Sequence, residues 1–200
     1  MTNDLTWTEH VKHVCQKTYA TLHSLNKLKN FLPTKLKTML VQSLIIPYID
    51  YCDVVFNDLT EDLAIRLQRA QNACVRFILG IRKSDHITPG FQKLGWICLK
   101  DRRNLHSVCL VHKILLTSSP SYLASNFQFV HSNHNFNTRS RTGTQLTFPI
   151  HRTNLLDHSF TIHAIRTWNA LPTEFRDKFQ TNYYAFKSAT FSYYYDMYKQ

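Results

Sequence analysis

The clearest repeat of apolar and polar residues along the chain lies between Thr60 and Gly80. Apolar residues recur there at intervals of three and four, which places them on one side of a helix that must be buried. They are Leu63, Leu67, Ala70, Cys74, Phe77 and Ile78. Thr60 has the side chain of an N-cap residue and Gly80 that of a helix-terminating residue, so the sequence predicts both ends of this helix.

The opposite side of the same predicted helix carries Arg66, Arg69 and Arg76. At about 100° per residue these three fall within an arc of about 80°. Guanidinium groups that point in one direction are well suited to contact phosphates, because each presents a planar set of donors. We therefore expect this side of the helix to face solvent and to be a candidate surface for a polyanion.

Similar spacing predicts five further helical stretches and one short apolar helix. The predicted ranges are 8–30, 35–46, 48–56, 100–117, 159–171 and 182–198. The helix at 35–46 is apolar nearly all round, which predicts that it is central in the fold. The residues responsible are Met39, Leu40, Val41, Leu44, Ile45 and Ile46.

The C-terminal part of the chain has a different pattern. Residues 118–145 are rich in Ser, Asn, Thr and His, which predicts irregular structure. Leu146, Phe148 and Ile150 then alternate with polar neighbours, which predicts a short strand confined to an edge by Pro149. The fold class predicted is thus mainly α, with a small C-terminal α+β appendage over 118–200.

Composition narrows the class of partner. The 200 residues contain 24 Lys and Arg against 13 Asp and Glu, a net charge of +11, so we expect an anionic partner. Nucleic acid is favoured over an acidic membrane surface, because no amphipathic segment sets Trp and Phe against Lys and Arg. No apolar run is long enough to span a bilayer, and the N-terminal residues lack the pattern of a secretory leader.

The cysteine pattern predicts the compartment. The five cysteines are odd in number and form no CxxC motif, which is typical of reduced intracellular thiols rather than of disulfides. We therefore expect an intracellular protein of the nucleus or cytoplasm that is not secreted.

Several kinds of active site are disfavoured. The four glycines form neither GxxxxGK[ST] nor GxGxxG, so a phosphate-cradling loop is not predicted. Three sets of residues have spacings that could place metal ligands on one helix face: His10 with His13, His106 with Cys109 and His112, and His131 with His134. Ordinary surface or core roles are favoured for them, because no second pair stands at a zinc-finger spacing. No residue is marked as an activated nucleophile.

The candidate nucleic-acid contacts lie on or beside two predicted helices. They are Arg66, Arg69, Arg76, Arg82, Lys83, Arg102, Arg103 and Lys113. The alternative is an ordinary solvated face. Four further arginines could instead bond backbone carbonyls or acids inside the protein: Arg139, Arg141, Arg152 and Arg166. Trp168 and the C-terminal tyrosines could stack on unpaired bases, but their helical spacing favours a packed core.

An ordered set of short motifs extends over residues 33–188. In order they are LVQSLIIPYIDYC, LQRAQNACVRFILG, FQKLGWICLKDRRNLHSVCLVHKIL, NFNTRSR, FPIHRT, SF, RTWNALP and AFKSA. This set resembles the C-terminal, thumb and post-thumb region of Jockey-like non-LTR retrotransposon reverse transcriptases. DLTWTEHV at residues 4–11 resembles the segment just after a palm strand in those enzymes.

The resemblance implies a leading palm-to-thumb helix at 1–32, a helical thumb-like domain at 33–117 and an appendage at 118–200. It implies RNA-directed DNA polymerase ancestry and RNA or an RNA–DNA hybrid as partner. The full polymerase would use magnesium held by an Asp-Asp motif, whereas this sequence has no adjacent Asp pair, so we expect the chain alone to be inactive and to hold no cofactor. A missing palm and fingers segment, or another protein, would then be a further partner. The alternative function is a protein-interaction or structural module that does not bind nucleic acid.

Overall fold

The computed structural model describes residues 6–57, 59–130, 143–150 and 152–199. The α-helices in chain order are α1 (Thr8–Asn26), α2 (Thr34–Leu44), α3 (Ile46–Asp50), α4 (Glu61–Leu79), α5 (Thr88–Leu94), α6 (Leu99–Thr117), α7 (Ser121–Ala124), α8 (Asn154–Asp157), α9 (Phe160–Ala170), α10 (Thr173–Arg176) and α11 (Tyr183–Lys199). A 3-10 turn follows α10 at Asp177–Gln180. The predicted mainly α fold class is confirmed. The chain divides into two compact units, the first ending at Asp101 and the second running from Arg102 to Tyr198.

The helix α4 has the bounds and the buried side that the sequence predicts. All six of its predicted core residues are buried, and Gly80 ends the helix in the left-handed conformation at φ 70°. Thr60 occupies the N-cap position, but its side chain makes no capping hydrogen bond. Glu61 and Asp62 supply negative charge to the first turn instead, where the helix dipole favours it.

The helix α1 packs along α4 in the first unit. It buries Val11, Val14, Leu22 and Leu25 in the same apolar cluster as the inward side of α4. It ends at Asn26, four residues before the predicted end, and single turns continue the chain from there. The pairing of α1 with α4 creates the groove in which several of the candidate residues lie.

The segment predicted as a central helix is buried on one side only. Val41 is buried, as are Ile45 and Ile46, which the predicted helix also included, while Leu36, Met39 and Leu44 are 39%, 55% and 44% exposed. A helix that is apolar all round does not show in its sequence which side faces the core. The prediction overestimated burial because hydrophobicity without periodicity was equated with it.

Two glutamines of α4 hold the segment that leads into α6. The Gln71 side chain is buried and donates to the Ile97 carbonyl at 3.0 Å. Gln68 Oε1 accepts the Leu99 N–H at 2.9 Å. This bond satisfies one of the backbone donors that the start of any helix leaves unpaired.

In the second unit the predicted strand is reduced to a single bridge at Leu146. Among the described residues, the β-structure here is a single antiparallel bridge between Phe129 and Leu146, so the α+β appendage is not supported. The Asn169 side chain bonds both the N–H and the carbonyl of Leu146, each at 2.8 Å. Phe148 and Ile150, which should have shared a strand face with Leu146, are 44% and 97% exposed.

Trp168 is a core residue of the second unit, as the helical spacing favoured. It is fully buried, its indole Nε1 donates to the Thr144 carbonyl at 2.9 Å, and its ring stacks on Phe186. The tyrosines of α11 differ from one another, because Tyr194 is buried and Tyr184 is 79% exposed.

Candidate nucleic-acid interface

A groove between α1 and α4 brings together the exposed arginines of α4, Lys12 of α1 and Lys29 of the turn that follows α1. We call it the α1–α4 groove. One part, of about 550 Å³, is lined by Val11, Lys12, Cys15, Gln16, Tyr19, Arg66 and Arg69. The other, of about 670 Å³, is lined by Tyr19, Asn26, Lys29, Arg69, Asn72, Ala73, Arg76, Phe77, Ile81 and Lys83. Tyr19 and Arg69 line both parts, so the two parts meet at this pair.

The α1–α4 groove is strongly cationic. Six basic side chains line it: Lys12, Lys29, Arg66, Arg69, Arg76 and Lys83. Among the described residues that line either part, none is Asp or Glu. Glu9 lies beside the groove, with its carboxylate 3.3 Å from Lys12 Nζ and both side chains more than half exposed. A concave surface lined by charges of one sign concentrates an oppositely charged ligand.

Arg66 and Arg69 are exposed, as predicted for the polar side of α4. Arg69 lies close enough to Tyr19 to affect its hydroxyl. Burial raises the pKa of Tyr19, and the Arg69 guanidinium opposes that rise. The hydroxyl therefore stays protonated at neutral pH and can donate a hydrogen bond.

Arg76 has a different role from Arg66 and Arg69, the other two arginines on this side of α4. Its Nη1 donates to the Arg82 carbonyl at 2.9 Å, and both terminal nitrogens lie 3.3 Å from the Asp85 carbonyl. Arg76 thus holds the loop after α4, and that loop presents Lys83 to the groove. Arg82 is exposed but does not belong to the residues that line the groove.

The three remaining candidates belong to α6 in the second unit. Arg103 is 8% exposed, so it is poorly placed for a polyanion. Arg102 is half-buried, and both arginines interact with other groups of the protein. Lys113 is exposed. Of the three candidate cations on α6, only Lys113 is therefore exposed.

Sequence reasoning missed the contribution of α1 to the groove. Lys12, Tyr19 and Lys29 line it, although they were not candidates. A signal existed for part of this set, because Lys12, Gln16, Tyr19 and Asn26 recur at spacings of four, three and seven on one helical side. The missing information was which helix lies beside that side.

The four arginines for which internal bonds were the alternative role differ in their surroundings. Arg166 is exposed and pairs with Asp157 at 3.0 Å, so it bonds an acid of the protein at the surface rather than inside it. Arg152 is exposed. Arg139 and Arg141 lie outside the described residues, as do His131 and His134.

Two of the histidines named for their spacing, His10 and His112, occupy aromatic surroundings. His10 lies 5.8 Å from Trp7 and 5.0 Å from Phe56 between ring centroids, whereas its neighbour His13 is exposed. His112 is fully buried and stacks on Phe186 at 4.0 Å, and neither ring nitrogen forms a well-aligned hydrogen bond with a described residue. Aromatic packing accounts for the positions of His10 and His112.

The cysteines are all free, and four of them are at least partly buried. Burial raises the pKa of Cys74 to about 12, and the pKa values of Cys98 and Cys109 to about 11. These three thiols are protonated at neutral pH, so they are poor nucleophiles and poor metal ligands.

The chain matches no protein-family model, no curated protein and no solved structure. Among the described residues, no helix is both long enough and apolar enough to cross a bilayer.

Proposed function

We propose that this protein is a fragment of a non-LTR retrotransposon RNA-directed DNA polymerase that binds nucleic acid through its sugar–phosphate backbone without sequence specificity. RNA or an RNA–DNA hybrid is the proposed ligand, and the nucleus or cytoplasm the proposed location. The ordered motifs between residues 33 and 188 support the family. The chain alone is proposed to be catalytically inactive, because its sequence has no adjacent Asp pair to bridge two metal ions.

The observation that carries the binding proposal is the charge of the α1–α4 groove. Of the described residues that line it, six are basic and none is acidic, and the basic set includes the exposed Arg66 and Arg69. Nucleic-acid affinity without sequence preference comes from such contacts, since each phosphate that is neutralised releases a counterion. Backbone contacts of this kind position a ligand but do not select its sequence.

The test is a fluorescence-anisotropy titration of labelled RNA–DNA hybrid and single-stranded RNA with the whole chain. Arg66→Gln/Arg69→Gln should weaken binding of whichever ligand the protein binds by about tenfold or more at low salt. Lys35→Gln/Lys93→Gln is the matched control, because it removes the same charge at exposed positions that do not line the groove. Equal reductions in affinity in the two double variants would show that only net charge matters.

A protein-interaction module is the second candidate, because the first unit exposes large apolar side chains. Phe31, Tyr51, Met39, Val55 and Leu28 are each more than half exposed, with Phe31 at 84%. Where exposed apolar side chains form one continuous patch, that patch is typical of a surface that binds another protein. Association through them should persist as salt is raised, whereas backbone binding to nucleic acid should weaken steeply.

A further inference from the structure

The α1–α4 groove is not a uniformly polar surface. Its lining includes the apolar residues Phe77, Ala73 and Ile81 as well as the basic side chains, and Phe77 is 4% exposed. A ligand that is only a polyanion would gain nothing from these apolar residues. A ligand with both phosphates and flat apolar faces would contact the cations and the apolar residues together.

Tyr19 is placed where such a ligand would pass. It lines both parts of the groove, is 46% exposed, and lies beside Arg69 at their junction. An exposed aromatic ring within a cationic groove is the combination by which proteins hold unpaired bases, since every base has a face that can stack.

The exposed ring of Tyr19 distinguishes a single strand from a duplex as the ligand. A duplex keeps its base faces stacked inside, so it cannot offer one to this ring, whereas an unpaired base can. The two parts of the groove, at about 670 and 550 Å³, are of the size of ordinary ligand sites of roughly 300–1,000 Å³.

We infer that the α1–α4 groove binds a single-stranded polynucleotide, with a base stacked on Tyr19 and the flanking phosphates on Arg66, Arg69 and Lys83. This deepens the proposed function, on which it rests, by naming the strand state of the ligand and the residue that contacts the base. Arg76 is a positioning residue, because its guanidinium holds the loop that carries Lys83.

The test compares three labelled ligands of about 12 nucleotides, a length within the usual range for single-strand sites. They are single-stranded RNA, single-stranded DNA and an RNA–DNA hybrid of the same mixed sequence. The variants are Tyr19→Leu, which keeps apolar bulk but removes the ring, and Tyr19→Phe, which keeps the ring. Because Tyr19 is nearly half exposed, both variants should fold, and circular dichroism checks this.

We expect a single strand to bind more tightly than the hybrid. Tyr19→Leu should weaken single-strand binding by about 5- to 150-fold, the range for removal of one stacked base, and Tyr19→Phe should retain it. Hybrid binding should change little in either variant. Inorganic polyphosphate should compete equally well against wild type and Tyr19→Leu, because it has no base.

Three results would overturn the inference, and the first two would do so without affecting the proposed function. If the hybrid binds as tightly as either single strand, or if Tyr19→Leu leaves single-strand affinity unchanged, the groove does not hold an unpaired strand, while the proposed function stands. If no ligand binds at low salt, both the inference and the proposed function fail.

Discussion

Arg76 Nη1 donates a hydrogen bond to the carbonyl of Arg82 at 2.9 Å, so one arginine of the α4 row fixes the backbone of the next candidate. The three arginines on this side of α4 therefore have two different roles. Arg66 and Arg69 are exposed, whereas Arg76 directs its donors to the protein backbone.

Arg76→Gln should therefore lower stability more than Arg69→Gln. Removing hydrogen bonds from a charged, partly buried group should cost about 1–2 kcal/mol, whereas an exposed substitution should stay within about 0.5 kcal/mol. Urea denaturation followed by circular dichroism measures both. Equal midpoints for the two variants would show that the loop after α4 does not depend on Arg76.

Gly80 provides a test of the backbone at the end of α4. Its φ of 70° is unfavourable for residues with a Cβ, yet an added Cβ would meet no atom within 4 Å. Gly80→Ala should thus cost about 1–2 kcal/mol through backbone conformation alone. Gly80→Asn should cost less, since Asn tolerates the left-handed region better. Urea denaturation midpoints check this order of stability. A Gly80→Ala midpoint equal to that of wild type would contradict it.

His112 should make the stability of the protein depend on pH. Burial lowers the pKa of His112, and the nearby backbone of Thr181 and Phe179 only partly opposes this. The unfolded chain therefore takes up a proton near pH 6.5 that the folded chain resists, so stability is highest above that pH and falls as pH drops through it.

His112→Phe keeps a ring against Phe186 but cannot be protonated. The fall in thermal midpoint between pH 7.5 and pH 5.5 should be smaller in this variant than in wild type. His86→Gln, at an exposed position, is the control and its midpoint should fall as much as that of wild type. A His112→Phe variant with an undiminished fall would exclude His112 as the source.

Trp168 should be structural and not a binding residue for bases. Trp168→Ala removes a fully buried ring and its bond to the Thr144 carbonyl, which should cost about 3–5 kcal/mol. If a folded fraction persists, its nucleic-acid affinity should equal that of wild type. Reduced affinity in protein shown by circular dichroism to be folded would place Trp168 at the ligand.

The sequence predicted α4 well because its apolar residues repeat on one side and its ends carry their own signals. The six predicted core residues between Leu63 and Ile78 are buried, and Gly80 ends the helix. The same reasoning failed for α2, whose uniform apolarity hides which side is inside. It failed again at Phe148 and Ile150, which are exposed, because alternation over five residues cannot reveal that pairing is limited to Leu146, whose backbone also bonds the Asn169 side chain.

Only part of the candidate site could be predicted from the sequence, for a related reason. The exposure of Arg66 and Arg69 follows from local periodicity. The groove, however, depends on α1 packing beside them, as in the contact of Cys15 Sγ with the Arg66 carbonyl across 51 residues of sequence. Which distant helices pack together depends on the whole fold and cannot be predicted from any one segment.

The central claim is that Arg66 and Arg69 contact phosphates, and the salt dependence of binding tests it most directly. On a single strand, each phosphate that a cation neutralises contributes about 0.7 to the steepness of log affinity against log salt. Arg66→Gln/Arg69→Gln should therefore make the slope shallower by about 1.4 relative to wild type, while Lys35→Gln/Lys93→Gln should leave it nearly unchanged. An unaltered slope in the Arg66/Arg69 variant would contradict the account.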